Sequence, residues 1–102
     1  MDPLDRLEAT IHARRVAADA GSSYVASLFA KGRAKIAQKV GEEATETVIA
    51  ALAEPDTLAS EATDLVFHLL VLLADAGLGL DDIRAELVRR EGVSGHVEKA
   101  AR

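Results

Sequence analysis

The sequence predicts an all-α fold, an antiparallel bundle of four to five helices that pairs into a dimer. Three observations predict it. Apolar residues recur at helical spacing in the long segments. The breaks between those segments are short, and short connections leave successive helices antiparallel. The chain has 102 residues, 49% of them apolar. That makes one domain, which alone buries only about two thirds of its surface, so a second copy would enlarge the core. The domain is expected over residues 1–92, with 93–102 as a C-terminal tail.

Asp2-Pro3 opens the first helix, Asp as N-cap and Pro at the first helical position. Leu4, Leu7 and Ile11 form its apolar stripe, and it is expected to run to about Asp19. His12 is expected in solvent. Gly21-Ser22-Ser23-Tyr24 breaks the helix. This run reads two ways, as a turn with a serine N-cap or as a hydroxyl and backbone N–H site for phosphate. A short helix, Tyr24 to Ala30, follows, and Lys31-Gly32-Arg33 interrupts it. The next helix is predicted from about Ala34 to Ala53, with Val40, Ile36, Ala44, Thr47, Val48 and Ala51 on its buried face. Gly41 in mid-helix suggests close helix packing. Pro55 ends this helix, and Asp56 or Thr57 caps the next, about Thr57 to Asp75.

That fourth helix is the most apolar. Leu65, Leu58, Ala62, Leu69, Leu72 and Leu73 form one face, and Phe67 and Leu70 lie well away from it. Two apolar faces on one helix of a small chain point to a partner subunit. Gly77 suits the C′ position and Gly79 the N-cap of a last helix, about Leu80 to Arg90. Its acidic first turn and basic last turn suit the macrodipole. The tail after Gly92 carries weak signals, and His96 belongs to it.

The chemistry is concentrated between Lys39 and His68. Glu43/Glu46 and Glu61/Asp64 are acidic pairs at i,i+3, and each puts two carboxylates on one stripe. At 100° per residue, Glu43 and Glu46 lie at about −60° and −120° from Val40, and Glu61 and Asp64 at about −40° and −100° from Leu65. In an antiparallel hairpin these equal signs place all four on the same side. Oxygen-only clusters suit a hard divalent cation, Mg²⁺ or Mn²⁺. Glu42, near −160°, stands beside the cluster and nearer solvent. Lys31, Arg33, Lys35 and Lys39 form a basic run just before the acidic one. Lys39 reads either as a helix-surface ion pair or as a cationic flank for a polyphosphate. His68 shares the carboxylate edge and reads as a site residue or as a histidine hydrogen-bonded in an interface.

Composition excludes other classes. Seventeen acidic against twelve basic residues give a net charge of −5, which argues against nucleic-acid polymers and anionic membranes as partners. Without cysteine there is no disulfide, thiolate zinc site or thiol redox chemistry. The N-terminus has no apolar signal core, and the run Leu65–Ala74 is too short to span a bilayer. None of this fixes the compartment, and none of it contradicts the cytosol. No Walker-type loop and no Ser/His/Asp set is present.

Glu42-Glu43-x-x-Glu46 followed by Glu61-x-x-Asp64 resembles the signature of the MazG-like, all-α nucleoside triphosphate pyrophosphatases. The longer stretches SSYVASLFAKGRAKIAQKVGEEATETVIAA and SEATDLVFHLLVLLADAGLGLDDI resemble one branch, the phosphoribosyl-ATP pyrophosphatases of histidine biosynthesis. The resemblance covers about Leu4 to Glu91. It implies Mg²⁺-dependent hydrolysis of phosphoribosyl-ATP to phosphoribosyl-AMP and pyrophosphate, by a cytoplasmic homodimer. By motif match, Glu43, Glu46, Glu61 and Asp64 are the metal ligands, with Glu42 nearby, and Glu43 or Glu46 orients the attacking water. Lys31, Lys35 and Lys39 are expected on the phosphates, with Ser23 and Tyr24 beside them. Val25 stands where the branch usually has Thr or Ser. In some organisms the domain is fused to a zinc-dependent cyclohydrolase. With no such domain and no cysteine here, a free-standing enzyme is expected. The competing readings are a housekeeping pyrophosphatase for non-canonical nucleotides and a non-catalytic helical dimerisation module.

Overall fold

A computed structural model describes all 102 residues, and every regular element is helical. The order is α1 (Pro3–Ala17), α2 (Tyr24–Lys31), α3 (Arg33–Ala53), α4 (Leu58–Asp75), α5 (Leu80–Arg89) and α6 (Gly95–Ala101), with a 3₁₀ turn at Pro55–Thr57 between α3 and α4. The predicted all-α architecture is present, with one helix more than expected. The extra helix is α6, in the tail. Ser94 caps it by accepting from the Val97 N–H, and Glu98 is buried between Arg89 and Arg90. A lone serine cap and an ion pair formed only in the fold leave little periodicity to read in advance.

Local chemistry sets the ends. The Asp2 side chain accepts from the Leu4 N–H at 2.7 Å, and Pro3 occupies the first turn. Gly32 kinks the chain between α2 and α3 at φ 92°, a conformation that Cβ-bearing residues avoid. Gly77, at φ 77°, ends α4: Leu78 N–H donates to Leu73 C=O and Gly77 N–H to Ala74 C=O, the Schellman pattern. Thr57 does not use its side chain as a cap. Its hydroxyl donates back to the Glu54 carbonyl at 2.9 Å.

α3 and α4 form the central hairpin, and α1 and α2 pack against it. The core joins Ile11 of α1, Val25 and Leu28 of α2, Ile36 of α3, Leu70, Val71 and Ala74 of α4, and Leu80. Arg15 of α1 and Arg33 of α3 close the C-terminus of α4. Arg15 donates to the Ala74 carbonyl, and Arg33 to the Asp75 carboxylate and carbonyl. Ile36 is fully buried at the centre of this packing. Ile36→Ala is therefore expected to cost about 3 kcal/mol in chemical denaturation, and a loss below about 1 kcal/mol would contradict the docking of α3.

Three expectations about faces are corrected. Leu70 is buried and Phe67 packs on the core, stacked against Tyr24, so neither lacks a partner within the chain. Leu69, Val48 and Ala51, assigned to buried faces, are exposed. Gly41 shows no close packing, because a Cβ there would meet nothing within 4 Å. The true stripe of α3 runs Ile36, Glu43, Ala50, rotated toward the carboxylate edge. On α4 it is the Leu70, Val71, Ala74 side that enters the core.

With its leading turn α4 spans 21 residues, and an 18-residue window within it has mean hydropathy 1.5, enough by length and composition to cross a membrane. In the fold it is the helix against which α1, α2 and α3 pack.

Candidate active site

The Glu43, Glu46 and Glu61 carboxylates come from facing helices and lie with oxygens within 4.8 Å of one another. Glu43 is only 7% exposed, Glu61 half-buried, and Glu46 faces solvent. One oxygen of Glu43 and one of Glu61 are buried without any hydrogen-bond partner. Burial of this kind is costly unless something compensates it. Asp64 is exposed and lies outside the group of three, though its charge reaches Glu61. Thr47, one turn after Glu43, ties the two helices together here. Its hydroxyl lies 2.8 Å from the Glu43 carbonyl and 3.2 Å from that of Glu61.

The electrostatics follow from this crowding. Burial first, then the neighbouring Glu46 carboxylate, pushes the Glu43 carboxyl above its ordinary value. Burial, then the charges of Glu46 and Asp64, does the same to Glu61. Glu42 behaves oppositely. Hydrogen bonds from Gln38 and Lys39 hold it below the ordinary value, and it points away from the group. Like-charged carboxylates lifted together, with orphaned oxygens, fit a divalent cation held by oxygens alone.

Beside this group lies a cleft of about 200 Å³ lined by Tyr24, Leu28, Lys31, Lys35, Gln38 and Lys39. Helical spacing puts Lys31 at the end of α2, and Lys35 and Lys39 one turn apart on α3. Lys39 stands at the border, 3.3 Å from Glu42 and 3.8 Å from Glu43, so the ion-pair reading of it holds. Its hydrogen bond to Glu42 raises its pKa and keeps it cationic. Gln38 was not singled out in the sequence. It orients Glu42, and only its place between Lys35 and Lys39 on the cleft side of α3 marked it.

Ser23 is placed as a cap: its hydroxyl oxygen accepts from the Ala26 N–H at 3.2 Å, and it does not line the cleft. Val25 is buried in the core, so position 25 offers no polar contact. His68 is buried and bonded within the chain. Its Nδ1 is 2.7 Å from the Asp64 carbonyl and its Nε2 2.7 Å from the Tyr24 hydroxyl. His12 and His96 are exposed, far from any such constellation.

A family model described as phosphoribosyl-ATP pyrophosphohydrolase matches residues 4–91. A phosphoribosyl-ATP pyrophosphatase from Sphingopyxis alaskensis is 65% identical over 102 residues, which cover 99% of this chain and 94% of that protein. One from Rhizorhabdus wittichii is 65% identical over 100 residues, covering 97% and 93%. One from Erythrobacter litoralis is 64% identical over 103 residues, covering 100% and 98%.

Proposed function

Because the chain belongs to the phosphoribosyl-ATP pyrophosphohydrolase family, we propose a division of labour in its site: the carboxylates hold Mg²⁺ and the lysine cleft holds the phosphate chain. The reaction is hydrolysis of phosphoribosyl-ATP to phosphoribosyl-AMP and pyrophosphate, the second step of histidine biosynthesis. The observation that carries the division is the pair of buried, unpartnered oxygens on Glu43 and Glu61, directly beside a cleft lined by three lysines.

Glu43, Glu46 and Glu61 are the ligands, with Asp64 as the fourth. When bound, Mg²⁺, or Mn²⁺ in its place, supplies positive charge to the phosphate oxygens and to the departing pyrophosphate. Lys31, Lys35 and Lys39 neutralise the incoming triphosphate and orient it. Glu43 or Glu46 orients the attacking water and takes its proton. Glu46 faces solvent and is where water enters. No side chain needs to act as nucleophile.

The working unit in this reading is a cytoplasmic homodimer, free of nucleic-acid polymer and of membrane. The single chain exposes 6764 Å², against about 5500 Å² for a compact monomer of this mass. Its radius of gyration, 15.5 Å, likewise exceeds the roughly 13 Å of a compact chain of this length. Part of the exposed apolar surface is Val48, Ile49 and Leu52 of α3, with Val66 and Leu69 of α4. Helical arithmetic puts them on the edge of the hairpin away from the carboxylates.

Incubation with phosphoribosyl-ATP and Mg²⁺, following pyrophosphate release, tests the reading. Lys35→Ala and Lys39→Ala are expected to raise KM about tenfold with kcat within about threefold, since flexible cations contact ground and transition states alike. Release of single phosphates, or turnover unchanged in chelator, contradicts the mechanism. Equal turnover of non-canonical nucleoside triphosphates favours a housekeeping pyrophosphatase.

A further inference from the structure

The hydrogen bonds around His68 fix the direction of the Tyr24 proton. The Asp64 carbonyl can only accept, so Nδ1 of His68 carries the hydrogen. A neutral imidazole has one N–H, so Nε2 is bare and the Tyr24 hydroxyl donates to it at 2.7 Å. The Tyr24 ring is held as well, stacked on Phe67 at 6.1 Å and edge-on to His68 at 5.7 Å, although half of the residue is exposed. The Tyr24 oxygen has no other hydrogen-bond partner, and the residue lines the cleft beside Lys31, Lys35 and Lys39.

An oxygen whose proton is committed elsewhere can only accept. Ionised phosphate oxygens also only accept, so the two repel. The part of a nucleotide next to its phosphates that carries donors is the sugar. We propose that Tyr24 accepts a hydrogen bond from a sugar hydroxyl of the substrate and does not bind phosphate, with His68 as the positioning residue that takes its proton. Tyr24 is thereby a specificity-determining residue at the sugar end of the cleft. This rests on the lysine cleft being the phosphate site, as proposed above.

Two readouts at pH 8 test it: KM for phosphoribosyl-ATP, and competitive inhibition by inorganic tripolyphosphate, which has no sugar. Tyr24→Phe keeps the ring and is expected to raise KM about tenfold while leaving the tripolyphosphate Ki within about twofold. His68→Asn keeps a donor near Nδ1 and loses the acceptor, so it reproduces that rise, and adding Tyr24→Phe changes little more. His68→Gln places an amide oxygen near Nε2 and restores most of the affinity. A Tyr24→Phe protein that binds tripolyphosphate as poorly as substrate makes Tyr24 a phosphate ligand and overturns the proposal. So does an unchanged KM, or equal behaviour of the Asn and Gln variants. Lys35→Ala is the separate control. If it leaves the tripolyphosphate Ki unchanged, the phosphate reading of the cleft fails instead, and the sugar placement falls with it.

Discussion

Glu43→Gln is expected to lower kcat by a hundredfold or more and, at the same time, to raise the melting temperature of the metal-free protein. The two effects share one cause. Glu43 is nearly inaccessible to solvent, carries an unpartnered oxygen and abuts Glu46. Its charge is what a divalent cation needs, and the amide keeps shape while removing that charge. A hundredfold corresponds to about 3 kcal/mol of lost transition-state stabilisation. Without metal the same charge is a burden. The folded-state pKa of Glu43 is raised, so its contribution to stability is complete below the ordinary carboxylate value and is lost as pH rises through the raised one. The metal-free wild type should therefore gain stability as pH falls from 8 toward the ordinary carboxylate value near about 4.3. The Gln variant should show a flatter profile and start higher. Mg²⁺ should stabilise the wild type and not the variant. Glu42→Gln should fall between wild type and Glu43→Gln in kcat, since Glu42 is already partnered by Gln38 and Lys39. A Glu43→Gln protein with full activity, or one less stable than metal-free wild type at pH 8, would defeat this account.

The carboxylate geometry was legible in the sequence because it depends only on helical arithmetic and a short hairpin. Equal angular offsets on two antiparallel helices put Glu43, Glu46 and Glu61 together; the same arithmetic put Asp64 with them, and there it failed, since Asp64 lies outside the group. The lysine cleft was legible for the same reason, since Lys31, Lys35 and Lys39 follow one another around the Gly32 kink. What periodicity could not supply was the phase of the core. α4 is apolar on both sides, with Leu65 and Leu69 on one and Leu70, Val71 and Ala74 on the other. Nothing local says which side meets α1 and α2. On α3 the same ambiguity hid the burial of Glu43, because a glutamate in the core stripe runs against the expected composition of that stripe. Contacts between distant segments were invisible for a plainer reason. Tyr24 to His68 and Arg33 to Asp75 are pairings that only the folded chain brings together.

Correcting the phase of α4 moves the expected dimer contact, and with it the most destructive surface substitution. Phe67 and Leu70 belong to the monomer's own core, so Leu70→Glu should unfold the chain outright. The hairpin edge opposite the carboxylates should behave differently. Ile49 is 54% and Leu52 84% exposed on α3, and Gly41 on the same edge is open to the approach of another backbone. The excess surface of the chain, on the order of 1200 Å², is enough for a standard interface, which takes about 800 Å² from each partner. Ile49→Glu with Leu52→Glu is therefore expected to give a folded or loosened monomer at micromolar concentration in sedimentation, where the wild type is expected to be a dimer. Its melting temperature should fall and lose its dependence on protein concentration. Partner binding at a hundred to a thousand times Kd contributes about 3–4 kcal/mol of apparent stability, and that is what the double variant loses. A wild type that sediments as a stable monomer removes the dimer. A double variant that remains dimeric places the interface on another face, and the apolar groove between α4 and α5, lined by Leu73, Leu78, Ile83 and Leu87, is then the next surface to charge.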